Sequence, residues 1–207
     1  MPKETFYNLD GAKQRRIFQA AVQEFSRRSF NEASINQIIK QAGISRGSFY
    51  QYFQDKEDIY LYMLTEIGKE KTAAIEQVRQ QRPAGDDFFA ALLQMTEAAL
   101  DWARAMPQYN QIGMRMILDD SEFIIKLRQL SPAAVNQFIT LIERDQKRGL
   151  IKSDVKPELV IDVIMVLMQH CLKEYYQSAD YAGMLQQAKK IFAIIKHGIA
   201  APKSTGE

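Results

Sequence analysis

The sequence predicts an all-α protein, and three observations carry that prediction. Apolar residues recur at three- and four-residue spacing along most of the 207-residue chain, as on the buried face of a helix. No run alternates apolar and polar residues between hairpin turns. The breakers Gly43, Pro83-Ala84-Gly85-Asp86, Pro107 and Gly149 fall between the periodic segments, not inside them. The architecture expected is a small helix-turn-helix domain over residues 1–54, followed by a helical bundle over residues 55–207.

The elements follow in order. Lys13 to Arg28 sets Ile17, Ala20, Ala21 and Phe25 on one stripe, with Asp10 placed to cap it. Ser34, with Gln37 three positions on, is a capping-box start, and Ile35, Ile38 and Ile39 give that helix a face to bury. Ala42-Gly43-Ile44 ends it, because glycine tolerates the left-handed conformation of a helix end and Ile44 turns back inward. Ser45 caps a second short helix, anchored by Phe49 and Phe53 on one face.

Asp55 with Asp58 opens a long helix carrying Ile59, Met63 and Ile67 as far as Gln81, where the Pro83 breaker follows. A helix from Asp87 to Ala105 is stopped by Pro107, and a shorter one lies between Gln108 and Leu118. Another starts at Ser121 or Ser131 and runs to Arg148, with Pro132 at its first turn or as a kink. Pro157 to Gln177 and Tyr181 to His197 complete the set, and Lys203 to Glu207 reads as a disordered polar tail.

The helix pair over residues 34–53 has the size of a helix-turn-helix, whose second helix fits the DNA major groove. The residues around it are Arg16-Ile17, Ala20-Ala21, Phe25, Phe30, Ser34 and Ile38. They continue through Ala42-Gly43-Ile44-Ser45-Arg46-Gly47, Phe49-Tyr50, Tyr52-Phe53 and Lys56-Glu57-Asp58. In this order and without a gap, residues 10 to 65 closely resemble the TetR family of bacterial transcriptional regulators; beyond them only size and helical pattern agree. Two positions depart from the family pattern. Ser29 stands where a glycine usually ends the first helix, so that end is expected to be strained or shorter. Ile39 stands where alanine is usual, adding bulk between the two motif helices.

The DNA-facing set is Ser34, Asn36, Ser45, Arg46, Gly47, Ser48, Tyr50, Gln51, Tyr52 and Lys56. Arg46 offers either a bidentate fork for guanine O6 and N7 or a phosphate clamp. Gln51 suits adenine or a phosphate. Tyr50 and Tyr52 carry hydroxyls for phosphate oxygens, with core packing the other reading of Tyr50. Gly47 serves close approach of backbone to DNA or helix packing, and Asn36 reaches backbone or a base edge. Ser34 and Ser45 cap helices whose N-termini are themselves phosphate sites. The resemblance gives Lys56 a phosphate contact. Most such contacts position the protein, and two or three specify sequence.

In the C-terminal part, Val160, Ile161, Val163, Ile164, Val166, Leu167, Met168, Cys171 and Leu172 leave their helix almost no polar face. It is either central to one bundle or shared with a second subunit. The resemblance implies the second: a homodimer joined through the last two helices, here Val160, Ile164, Leu167, Ile191 and Ile195, that reads a palindromic operator in double-stranded DNA. It also implies a small-molecule effector held in the C-terminal domain, with repression the commoner mode. Trp102, Tyr109, Met114, Met116, Phe123, Met168 and Tyr175 are the aromatic and sulfur side chains able to line an apolar site, or simply to fill a core.

Neither cofactor nor metal is expected, since His170 and Cys171 are adjacent on a helix and so face different directions. No phosphate-cradling glycine loop, nucleotide fingerprint or Gly-x-Ser-x-Gly appears, which argues against an enzyme. With 46% hydrophobic residues the chain is long enough to bury a proper core. The single cysteine fits a reducing compartment and the start lacks the apolar stretch of a signal peptide, so a cytoplasmic location is expected. Leu159 to Met168, the most apolar run, contains Asp162 and is too short to span a bilayer, so no membrane role is expected. The net charge of +2 is unevenly spread: residues 1 to 54 hold eight Lys or Arg against four Asp or Glu. That excess reads as phosphate attraction at one end of the chain or as a solvated helix face.

Overall fold

The computed structural model describes residues 1–80, 87–128, 132–178 and 180–199. The expected break at Pro83 to Asp86, the alternative start at Ser131 and the polar tail lie outside the described residues. Within them the chain forms α1 (Glu4–Tyr7), α2 (Gly11–Arg27), α3 (Ile35–Ala42), α4 (Arg46–Tyr52), α5 (Lys56–Gln80), α6 (Phe88–Ala105), α7 (Pro107–Leu118), α8 (Glu122–Arg128), α9 (Pro132–Lys147), α10 (Pro157–Ser178) and α11 (Tyr181–Ile199). The all-α expectation holds.

Side-chain caps set many of the boundaries. The carboxylates of Asp10, Asp55 and Asp87 accept from the backbone N–H of Lys13, Asp58 and Ala90 at 2.9, 2.9 and 2.8 Å, meeting amides that a helix start leaves unpaired. Pro107 begins α7, where its missing N–H costs nothing. Of the two starts expected for the helix that ends near Arg148, the later one is found, since α9 begins with Pro132 at its first turn, and Glu122–Arg128 is a separate helix, α8. Helix α1 is an addition that periodicity could not show, because four residues are too few to display a period.

Packing divides the chain into two compact units, residues 1–74 with 102–127, and residues 75–101 with 128–207. The division expected after residue 54 is therefore not where the packing divides. In the first unit α7 and α8 belong with the N-terminal helices. Arg115 Nε donates to the Ser26 carbonyl at 2.9 Å, and the Asp119 carboxylate accepts from Phe30 N–H at 3.1 Å. Its core is aromatic and aliphatic, with Phe6, Ile17, Phe25, Ile38, Phe49, Phe53, Ile59, Met63, Ile112 and Ile124 closed to solvent. Each such side chain contributes roughly 1.5–3 kcal/mol by burial.

The second unit is built on Phe88, Phe89, Leu92, Ile142, Val160, Ile161, Ile164 and Phe192. At its centre Asp145, fully buried, accepts from Phe88 N–H at 2.6 Å and pairs with Arg144 at 2.8 Å and Arg148 at 3.2 Å. One carboxylate thus satisfies an orphan amide at the start of α6 and ties it to α9. Among the described residues no helix is long and apolar enough to cross a membrane.

Three stability outcomes are expected. Gly43 has φ +63° with nothing near the place a Cβ would occupy, so Gly43→Ala carries a purely backbone cost of about 1–2 kcal/mol. Gly68, exposed within α5 and equally open, should gain about 0.5–1 kcal/mol as Gly68→Ala. Urea melts of both variants check the opposite signs. Asp145→Ala strands the Phe88 amide and should lose about 1–3 kcal/mol in the same assay, while its half-exposed arginines turn to water.

Candidate nucleic-acid interface

The turn between α3 and α4 closes on backbone hydrogen bonds. Gly43 N–H donates to the Lys40 carbonyl at 3.4 Å and Ile44 N–H to the Ile39 carbonyl at 3.2 Å, the pattern of a glycine-ended helix. Ile44 then packs against the core, as does the half-buried Ile39. Ser45 Oγ accepts from Ser48 N–H at 3.0 Å, and the two serine hydroxyls lie 2.9 Å apart. Ser48 is thereby half-buried in the cap, and Ser45 stays exposed.

Helix α4 sorts its residues by face. Phe49, Tyr52 and Phe53 point inward, while Arg46, Gly47, Tyr50 and Gln51 are exposed. Arg46 stacks its guanidinium 5.9 Å from the centre of the Tyr50 ring, one helical turn away. Tyr50 is 39% exposed, so it is a surface residue and not core. Tyr52 needs correction: only 6% exposed, it meets the Phe6 ring edge-on at 6.2 Å and lies under Lys13 Nζ at 5.5 Å. Its position three residues from Phe49 puts it on the same inward face, which a seven-residue helix needs in full.

The start of α3 also differs from the expected capping box. The Ser34 side chain makes no cap bond and Gln37 is exposed. Instead the Ser34 N–H donates to Glu24 Oε1 at 2.9 Å, a carboxylate only 7% exposed. Glu24 went unnoticed in the sequence. Its signal is a lone acid seven residues after Ile17, on the apolar stripe of α2. Asn36 is exposed on the first turn of α3.

Lys56 likewise has an internal task. Its ammonium donates to the carbonyls of Asn31 and Ala33 at 3.0 and 3.1 Å and lies 4.9 Å from the centre of the Phe30 ring. Burial lowers its pKa against the opposing pull of Asp119 and Glu24. Two of its three protons are thereby engaged. The departure at Ser29 is absorbed locally: its N–H and hydroxyl both donate to Glu32 Oε2, at 3.2 and 2.9 Å. These bonds hold the Glu32 carboxyl below its ordinary value.

The apolar candidates are divided between the two units. In the first unit Trp102 lies 5.6 Å from Tyr109, Phe123 packs 4.6 Å from Phe30, and Met114 is half-buried. Tyr109 lines a cavity of about 280 Å³ with Phe18, Val22, Met106 and Pro107. In the second unit Met168 is half-buried, and Tyr175 is buried with Leu100, Cys171 and Met184. Of the interface candidates, Val160 and Ile164 are corrected: at 3% and 5% exposure they are spent inside their own chain. Ile191 and Ile195 are half-buried, and Leu167 is 38% exposed. The open strip of α10 is instead Leu159, Val163 and Val166, at 59%, 41% and 67% exposure. A helix apolar all round does not announce which side its own chain will cover.

Residues 17–63, from the second turn of α2 into α5, match the family of bacterial regulatory proteins designated tetR. The transcriptional repressor BepR of Brucella suis is 21% identical over 193 residues, covering 90% of this chain and 91% of that protein. A TetR family transcriptional regulator from Chloroflexus aurantiacus superposes with TM-score 0.65 and 27% identity, over 98% of this chain and 100% of that one. The regulator FadR from Bacillus subtilis, solved in complex with stearoyl-CoA, shares the fold at TM-score 0.72 and 17% identity, over 89% of this chain and 98% of its own. With its helix-turn-helix built as described, the chain carries over residues 17–63 the N-terminal domain of the tetR family of bacterial regulatory proteins, and over most of its length it is similar to transcriptional regulators of that family.

Proposed function

We propose that the protein is a repressor that binds a palindromic operator as a homodimer and is released by a small apolar ligand. The observation that carries the DNA-reading half is the sorting of α4, which buries Phe49, Tyr52 and Phe53 and leaves Arg46, Tyr50 and Gln51 on the opposite side. Arg46 and Gln51 read base edges. Asn36, Ser45, Tyr50 and the remaining proton of Lys56 hold phosphates. Gly47 lets the backbone approach, while Ser34 and Ser48 serve by shaping the helix starts. Repression is supported by the likeness to BepR.

Dimerisation is supported by the apolar strip of Leu159, Val163 and Val166, spaced to share one side of α10, and by Ile194 of α11 at 72% exposure. A second copy covers these residues and supplies the symmetry that a palindrome requires. In this reading residues 1–54 are the reading head and residues 55–207 carry effector binding and dimerisation. An apolar effector is supported by the stearoyl-CoA complex of FadR and by the aromatic and sulfur side chains named above. The site of action is cytoplasmic, where the DNA is.

Selection of sites from random duplex DNA, followed by release assays with acyl-CoAs and free fatty acids, tests the whole reading; recovery of no common site overturns it. Arg46→Ala should weaken operator binding by about 1–3 kcal/mol and relax preference at one base pair. An equal loss on every sequence would reduce Arg46 to a phosphate contact. Val166→Glu puts an unpaired carboxylate into the dimer contact and should give monomers in sedimentation, whereas an undisturbed dimer would remove α10 from the interface.

A further inference from the structure

Helix α4 has seven residues, and its last four carbonyls have no acceptor role inside the helix itself. One of them, on Phe49, takes the N–H of Phe53 at 2.8 Å. The other three are met from the beginning of the chain. Lys3 Nζ donates to the Tyr50 carbonyl at 2.9 Å, the Thr5 hydroxyl to the Gln51 carbonyl, and Lys3 N–H to the Tyr52 carbonyl at 2.8 Å. The ammonium of Lys3 also complements the negative end of the helix dipole. Next to these donors Phe6 is fully buried, its ring 4.9 Å from Tyr62 and 5.1 Å from Phe53.

We propose that residues 3–6 are a strap that positions the reading helix, with Lys3 and Thr5 as positioning residues for the base contacts of Arg46 and Gln51. The inference rests on the DNA-reading role of α4. The carbonyls that the strap holds belong to Tyr50, Gln51 and Tyr52, so it fixes the turn from which Tyr50 and Gln51 project. Phe6 anchors the strap by burial, which leaves Lys3 and Thr5 to set the position of the helix end. Base readout depends on that position, because a bidentate contact fails when its side chain moves out of line. Attraction to phosphates does not depend on it in the same degree. The strap therefore governs discrimination between sequences more than affinity for DNA as such.

The test uses the full chain, an operator selected from random duplexes and a random duplex of equal length. Thr5→Val keeps shape and β-branching and removes only the donor; Thr5→Ser restores it. Thr5→Val should lower operator affinity about three- to ten-fold with random-duplex affinity, salt dependence and melting temperature little changed. Thr5→Ser should behave as the wild type, and Lys3→Met should narrow the same operator-to-random ratio. Equal operator affinity in Thr5→Val, a parallel fall on both duplexes, or failure of Thr5→Ser to restore the ratio would overturn the strap. For Lys3, a salt slope shallower by about 0.9 with the ratio intact would make it a phosphate contact and remove it from the strap.

Amide exchange reads the strap without DNA. The amides of Tyr50 to Phe53 should exchange faster in Thr5→Val than in the wild type, and unchanged exchange overturns the proposal whatever the DNA assays show. Failure of the wild type to select any site sinks the DNA reading instead, so the two failures are distinguishable.

Discussion

Everything that α4 presents to solvent depends on the burial of its other side. A helix of seven residues is far shorter than the ~12–15 residues at which isolated helices become even marginally stable in water. What holds this one is the inward face of Phe49, Tyr52 and Phe53, set among Phe6, Tyr62 and Ile38 in a continuous core. Its two ends are then closed by polar groups, Ser45 at the start and the first residues of the chain at the finish. The exposed face owes its geometry to contacts made on the buried one.

Charged groups reinforce the same head from within. Glu24, inside the apolar stripe of α2, spends its carboxylate on the first amide of the α3 region. Lys56 spends its ammonium on the carbonyls of the loop that joins α2 to α3. Burying these ions would cost stability if they lacked partners, and each has one that a neutral side chain could not meet as strongly. Asp145 plays the corresponding part in the second unit, holding the start of α6 to α9. In each case a charge at a helix end or loop does local structural work.

Periodicity and caps made much of this legible. Asp10, Asp55, Asp87, Gly43 and Ser45 do what their positions predict, because a cap or a left-handed turn is a local matter of a few residues. The exposure of Arg46, Gly47, Tyr50 and Gln51 on α4 was legible for the same reason. Harder to read were residues whose role depends on a distant partner. Tyr52 looks like Tyr50 in the sequence, yet one packs under Lys13 and the other faces solvent. Ser34 looks like a capping-box serine until Glu24, ten residues earlier, takes the amide that Gln37 would have taken.

The local pattern of residues thus settles the helical class, most helix boundaries and the turn at Gly43, since each depends on neighbours within about two turns of chain. Contacts across the chain settle which side of α10 is covered, so that Val160 and Ile164 go inward and Leu159, Val163 and Val166 stay open. They also settle that residues 102–127 pack with the N-terminal helices and that Lys3, Thr5 and Phe6 close the end of α4. A helix apolar on every side has no local reason to prefer one face, and a four-residue helix has no period to read. Only the partner it packs against breaks the tie.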